Sequence, residues 1–468
     1  MRTALLSSLQ RVSSSAVAWS FLATGLRAGG AVLILPIVLR YLPPDQLGLW
    51  YVFQSVASVV LIMDAGFGVT LIRSMGYLWR GVTDLLPHGI AAEESGGTGE
   101  PNFKLMADLT VTMKWYYRLI ALLVLVGLVG PGSYWMWHRT ATLAGHESLR
   151  GAWLLFSAGN ALNVASAFWI CMIIGSNGVR VSEQVFSVSL LLNYAIVAVG
   201  LWLGWGLWAT VIGQFVQGLA YRLGGKYGFF MLAGPRYSEQ RGRASLALIK
   251  TLWPMSWRSA VMGLGSCLIL YSNTIVCSTL LGLAETASYG LTFQLVTAVS
   301  GVSAIWVNVK LPLMNQLRVS GEIAALGRLF IERLRLSLVT YLVGAAGVIL
   351  VGPGFVRLIG SKTSMLPTAQ TATLLLIMFL ATHQSLHMSL VLSQNRNPFV
   401  IPMLLSGLGI AAASVLLVPF FGIWGLLLAF GFVLLCYLNW WSVFQGLQSL
   451  NISPSGFFRS LVLGAPGA

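Results

Sequence analysis

The chain has 468 residues, 57% of them hydrophobic and 9% charged, and its mean hydropathy is +0.80. A soluble globular protein of this length cannot carry so much apolar surface, so the composition specifies an all-α polytopic membrane protein. The net charge of +15 does not indicate nucleic acid, because the bases are spread over short segments between apolar runs rather than gathered in a soluble basic domain.

Apolar runs measured against the roughly 20 residues a spanning helix needs predict about twelve transmembrane helices. They lie near 16–39, 48–74, 109–131, 151–174, 185–204, 206–231, 252–280, 287–312, 336–358, 369–393, 398–420 and 422–446. One side, counted with the span ends that face it, holds most of the remaining bases, among them Arg73, Arg80, Arg180, Arg222, Lys226, Arg318 and Arg396; the other side holds Arg40, Arg139, Arg150, Arg357 and Lys362. That asymmetry predicts a cytoplasmic N-terminus and C-terminus. Ala16-Val17-Ala18 resembles a signal cleavage site, yet Arg11 and a serine run leave no apolar stretch before it, so the first span is expected to be retained.

Arg27 sits near the middle of the first span, beyond easy snorkelling reach of either interface. It is the foremost candidate for substrate binding; the alternative is an ion pair with Asp64 in the second span. Asp64 lies in Asp64-Ala65-Gly66-Phe67-Gly68, where two glycines can loosen the helix and expose backbone. Its two readings are a proton-linked or resetting acid and a buried structural partner. Lys114 and Arg118 share one face of the third span, with Lys114 placed to snorkel and Arg118 deeper, facing either a cavity or lipid. Arg258 follows Trp253-Pro254 about a turn inside the seventh span and is assigned to the cavity in preference to the headgroups. Lys310 precedes Pro312 at the end of the eighth span and reads as an interfacial anchor.

The segment near 315–335 carries Ile323, Leu326, Leu329 and Phe330 among charged residues, the pattern of an amphipathic helix lying on the anionic cytoplasmic leaflet. His383 and His387 share a face of the tenth span. With no third ligand beside them they read as packing residues first, and as a proton relay ahead of a metal site. Cys171, Cys267, Cys277 and Cys436 fall inside spans without paired spacing and read as packing residues. Trp135, Trp137, Trp440 and Trp441 fit interfacial belts.

Five bases (Arg27, Lys114, Arg118, Arg258 and Lys310) thus share the spans with one acid, Asp64. A charge at the bilayer centre costs roughly 2.5 to 3.5 kcal/mol on insertion scales, so a set of one sign points to a shared anionic cargo.

The second half of the chain repeats the first. Asp45, Phe53-Gln54, Val56 and Val59 recur 240 positions later as Glu285, Phe293-Gln294, Val296 and Val299. Leu128-Val129-Gly130-Pro131-Gly132 recurs as Leu350-Val351-Gly352-Pro353-Gly354, Asn177 as Asn395, and Gly206-Leu207-Trp208-Ala209 as Gly422-Ile423-Trp424-Gly425. The offset shrinks because the first half has a longer loop near 76–108. An even number of spans per copy makes the repeats parallel, an arrangement that places a pathway between two bundles. The expected organisation is a six-helix lobe over 1–245, a second over 246–450, and a short tail over 451–468. No Walker loop, dinucleotide glycine pattern, nucleophile elbow or metal-carboxylate motif is present, so the sequence gives no support for ATP use or a cofactor.

The run Leu35-Pro36-Ile37-Val38-Leu39-Arg40-Tyr41-Leu42-Pro43-Pro44-Asp45-Gln46-Leu47-Gly48-Leu49-Trp50, followed by Asp64-Ala65-Gly66-Phe67-Gly68, resembles the Wzx-type polysaccharide flippases. These belong to the superfamily that includes multidrug and toxic-compound extrusion (MATE) transporters. The resemblance implies a MATE-like fold with a central cavity, alternating access, and location in the bacterial inner membrane. Its implied cargo is an undecaprenyl-diphosphate-linked oligosaccharide destined for O-antigen or exopolysaccharide, delivered to polymerase or ligase machinery. Arg27, Arg118 and Arg258 are the positions to bind the diphosphate, with membrane lipids as the remaining partners. A multidrug exporter of organic cations is the alternative, disfavoured by the shortage of intramembrane acids. A glycan polymerase or ligase is a further one, disfavoured by the duplication and by the lack of a sizeable outer loop.

Overall fold

A computed structural model describes residues 16–64, 66–85, 100–143, 145–394 and 397–463, and the described residues are helical with no strand. The helices are α1 (Ala16–Tyr41), α2 (Pro44–Val60), α3 (Phe67–Trp79), α4 (Phe103–Gly127), α5 (Ser133–Thr140), α6 (His146–Gly175), α7 (Val179–Trp202), α8 (Leu207–Ser238) and α9 (Leu246–Leu280). The order continues with α10 (Leu283–Asn308), α11 (Leu311–Val319), α12 (Ile323–Leu350), α13 (Gly352–Leu358), α14 (Thr368–Leu392), α15 (Val400–Phe421), α16 (Ile423–Val433), α17 (Asn439–Gln448) and α18 (Pro454–Leu463).

All twelve sequence-predicted spans coincide with helices or with helices joined end to end. Among the described residues ten stretches are long and apolar enough to cross a membrane, α1 and α8 not being among them, which makes this a multi-pass membrane protein. The chain divides into two compact units: residues up to 42 with 56–263, and residues 43–55 with those from 264 onward.

In the first unit α1 packs on α7, while α6 is flanked by α4 and α8. The core is built from large rings, with Phe67, Tyr117, Phe168 and Phe229 fully buried among Met75, Met113 and Met172. In the second unit α10 packs on α12 and α14, and the core centres on Tyr289, Leu374, Leu426 and Phe430. Lipid tails are as apolar as these side chains, so packing contacts and small residues, rather than the hydrophobic effect, hold such helices together. Gly290 illustrates this. A Cβ there would sit 2.4 Å from the Tyr51 ring, and only glycine lets α10 approach the first turns of α2 so closely. Beside it the Tyr51 hydroxyl donates to Gln294 Oε1 at 2.9 Å.

The duplication has a backbone counterpart. Gly206 and Gly422, which open the matching segments at α8 and α16, have φ/ψ of 57/−135 and 56/−134. The two Gly-Pro-Gly corners differ: Leu128–Gly132 forms a π-helical turn that carries α4 on into α5, whereas α12 ends at Leu350 and α13 starts afresh at Gly352. Asn177 follows α6 with φ 60. Its predicted counterpart Asn395 lies outside the described residues, as do Arg396, the first fifteen residues and part of the 76–108 loop (86–99).

The expectation of a surface amphipathic helix over 315–335 is corrected. Gly321, at φ 79, ends one helix, and a second runs unbroken from Ile323 to Leu350. Leu326, Phe330 and Leu334 are buried against Val307, Leu386, Leu447 and Phe457. An apolar stripe at helical spacing reports a buried face without reporting whether lipid or protein covers it.

Candidate functional site

The second span is broken in its middle. After α2 a 3-10 turn over Leu61–Asp64 leads to Gly66, whose φ of 71 turns the chain before α3 begins at Phe67. A Cβ at Gly66 would lie 2.4 Å from the Ser256 carbonyl oxygen, so the turn is pressed against α9. Across the same contact Ser256 Oγ donates to Thr70 Oγ1 at 3.0 Å.

Asp64 occupies the break. Its Oδ1 accepts from the Gly66 N–H at 2.8 Å and its Oδ2 from the Gly68 N–H at 3.1 Å. The carboxylate thereby caps the free amides and the positive dipole end of α3, groups that the helix itself leaves without partners. The Tyr117 hydroxyl lies 3.4 Å from Oδ2, and the Tyr116 and Phe67 rings stand 4.5 Å apart beside it. A half-helix with an acid at its start and phenols facing it is the kind of broken span that transporters use for ions and polar cargo.

Arg27 lies on α1, and its side chain is outside the described residues, as is any pairing with Asp64. Lys114 and Arg118 are both exposed on α4. They are joined by two bases that sequence reading had assigned to the cytoplasmic segments: the charges of Arg118, Lys226 and Arg222 all act on the Lys114 ammonium. Arg222 and Lys226 are four apart on α8, and this spacing was the available signal. Arg258 is exposed, with its guanidinium 5.7 Å from the centre of the Trp257 ring. Lys310, half-buried, precedes α11.

His383 and His387 lie in the second unit with rings 4.4 Å apart. His387 is fully buried between Phe330 and Phe457, and its Nδ1 lies 2.9 Å from the His383 carbonyl oxygen. The proton therefore belongs on Nδ1, and Nε2, which has no hydrogen-bond partner, carries the lone pair. Among the described residues no three His, Cys, Asp or Glu side chains converge as a metal site would require.

Arg318, on α11, has a role the sequence did not disclose. Its Nε donates to Ser393 Oγ at 2.8 Å, Nη1 to the Ser449 carbonyl at 3.1 Å and Nη2 to the Leu390 carbonyl at 3.4 Å. One guanidinium thus joins the C-terminal ends of α14 and α17, where unpaired carbonyls concentrate negative potential. Removal from water lowers its pKa from the usual arginine value. Elsewhere in this unit a cleft of about 600 Å³ is lined by Glu285, Ser288, Ser364 and Gln370.

No protein-family model and no curated protein matches the sequence. Among solved structures the chain is similar to an inward-facing multidrug resistance MATE family transporter of the MOP superfamily, with TM-score 0.71 and 12% identity, covering 94% of this chain and 100% of that one. It is also similar to a MOP superfamily transporter from Pyrococcus furiosus described as having a binding pocket of reverse polarity, with TM-score 0.58, 12% identity and coverage of 94% and 97%. An outward-facing multidrug resistance MATE family transporter matches with TM-score 0.56, 13% identity and coverage of 94% and 98%. At these identities the likeness establishes architecture, and this all-helical, multi-pass chain has the MATE-like fold.

Proposed function

We propose that the protein is a flippase that moves an undecaprenyl-diphosphate-linked oligosaccharide from the cytoplasmic to the outer leaflet of the bacterial inner membrane. Both termini would be cytoplasmic, and the halves over 1–245 and 246–450 would act as the two lobes of an alternating-access cycle. The observation that carries the reading is the charge of the spans. Lys114, Arg118 and Arg258 present exposed positive charge, while Asp64, the acid of the second span, already accepts from the amides that start α3. Such a set suits an anionic diphosphate, held through charge-assisted hydrogen bonds by Arg118, Arg258 and Arg27. The glycan would then pass to polymerase or ligase machinery.

A second reading, export of an organic cation, has one observation in its favour: Asp64 is ringed by Phe67, Tyr116 and Tyr117, and aromatic faces attract cations. Deletion of the gene followed by analysis of undecaprenyl-linked intermediates separates the two. Accumulated precursor with loss of surface glycan supports the flippase. Unchanged intermediates, together with drug resistance conferred on a sensitised host, would establish the exporter instead.

A further inference from the structure

Four bases of the first unit stand together on two helices that are about a hundred residues apart in sequence. Lys114 and Arg118 occupy one face of α4, and Arg222 and Lys226 one face of α8. α8 kinks at Gly234 (φ 74, ψ −174), and beyond the kink the Tyr237 hydroxyl donates to Thr110 Oγ1 at 2.7 Å, tying the end of α8 to α4 one turn before Lys114. The chain leaving α8 is strapped along the start of α4. Arg243 N–H donates to Asp108 Oδ1 at 2.6 Å, Ser245 N–H to Thr112 Oγ1 at 3.0 Å, and Lys104 Nζ to the Arg241 carbonyl at 2.8 Å.

These bonds also account for the nearest acid. Asp108 is taken by the Arg243 amide and by Lys104, 3.5 Å away, so it does not neutralise the bases above it. Among the described residues none of the four bases pairs with a carboxylate. Lys114, Arg118 and Lys226 are exposed and Arg222 is half-buried. Bases that only anchored the helices would fan outward to separate headgroups. Here Lys114 shares its surroundings with Arg118, Lys226 and Arg222, a concentration of like charge that suits an anion of more than one charge.

The surface next to the four bases is apolar. Farther along α4, Leu122 is 56% and Val126 60% exposed, and on α8 Leu219 is 40% and Leu223 58% exposed. A concentrated cationic patch continuous with an uncovered hydrocarbon face fits an amphiphile with a multiply charged head and a lipid tail better than it fits a phosphodiester lipid bearing one charge.

We propose that Lys114, Arg118, Arg222 and Lys226 form a docking site for the diphosphate of the lipid-linked cargo, with the first prenyl units lying along Leu122, Val126 and Leu219. The proposal rests on the flippase reading above and names the place where the cargo is taken up. Arginine supplies paired donors for the phosphate oxygens, and lysine supplies point charges.

The test uses the purified full-length protein in a neutral detergent, with farnesyl diphosphate as the probe and vesicles of phosphatidylglycerol as competitor. Wild-type protein should bind the diphosphate at least tenfold more tightly than farnesyl monophosphate. R118Q combined with K226Q should lose at least tenfold in affinity, with an unchanged circular-dichroism spectrum, while the charge-conserving K114R/K226R pair should retain binding. Unaltered affinity in the R118Q/K226Q protein would overturn the site. So would displacement of the probe by phosphatidylglycerol at equal concentration, which would identify a general headgroup contact. Probe binding that depends on the four bases, in a deletion strain that accumulates no precursor, would uphold the anion site and reject the flippase reading. Accumulated precursor with unaltered binding in the variant would do the reverse.

Discussion

Gly206 and Gly422 share a backbone conformation to within one degree in each angle, with φ/ψ of 57/−135 and 56/−134. No L side chain is at ease there, and each glycine immediately precedes a helix start marked by Leu207-Trp208 or Ile423-Trp424. The repeat seen in letters is therefore a repeat in geometry at a point where only glycine suffices.

Gly206→Ala and Gly422→Ala should each destabilise the protein by about 1 to 3 kcal/mol, the usual cost of a strained backbone position. At Gly422 a Cβ would meet nothing within 4 Å, so the cost there is conformational and not steric. The two effects should add, because the glycines belong to different compact units. Thermal melts of the single and double variants in detergent check this; a double variant no worse than either single one would contradict it.

Asp64→Asn keeps one acceptor oxygen and turns an NH2 donor toward the other amide, so it should lose one of the two bonds to Gly66 and Gly68 and cost about 1 kcal/mol. Asp64→Leu leaves the Gly66 and Gly68 amides unpaired and should cost about 2 kcal/mol or more. Comparison of melting temperatures reads the capping role, and glycan export by the Asp64→Asn protein reads the role of the charge. Export should fall in that variant if the carboxylate resets a cationic site.

Removal of the Arg318 guanidinium should loosen the ends of α14 and α17 together. Arg318→Met is expected to cost about 2 to 3 kcal/mol, in the range of a charged hydrogen-bonding group lost from a half-buried site. Arg318→Lys should recover only part, because an ammonium cannot reach Ser393, Ser449 and Leu390 at once. Limited proteolysis near Gly321 and thermal melts measure both effects.

His387→Phe should alter stability by no more than about 1 kcal/mol, since it removes one hydrogen bond and also the unpartnered Nε2 while keeping an aromatic ring between Phe330 and Phe457. Gly446→Ala is expected to be worse, because its Cβ would lie 2.9 Å from His387 Cδ2. Loss of transport in a stably inserted His387→Phe protein would show that the imidazole carries a proton and is more than packing.

On the flippase reading proposed above, Arg27→Glu and Arg258→Glu should each abolish surface glycan and accumulate lipid-linked precursor while the protein remains inserted, and Arg258→Lys should retain part of the activity. Immunoblots of membranes beside precursor analysis check this; normal glycan in either glutamate variant would remove that arginine from the binding set.

The membrane character of the chain, its helical class and the places of its spans were readable in the letters, because a bilayer imposes a length and an apolarity on every crossing segment. The duplication was readable too, since glycines such as Gly206 and Gly422 are chosen by local backbone geometry. Gly66 and Gly68 likewise announced a weak point in the second span, although not that Asp64 would cap the helix beyond it. Gly321 was the unread signal between α11 and α12. Tertiary structure alone decided which charges meet. Arg318 reaches two helix ends 72 and 131 positions away, and Lys114 shares its surroundings with Arg222 and Lys226. Helical periodicity is a local property of a chain, whereas the partner of a charged side chain is set by which helices pack side by side.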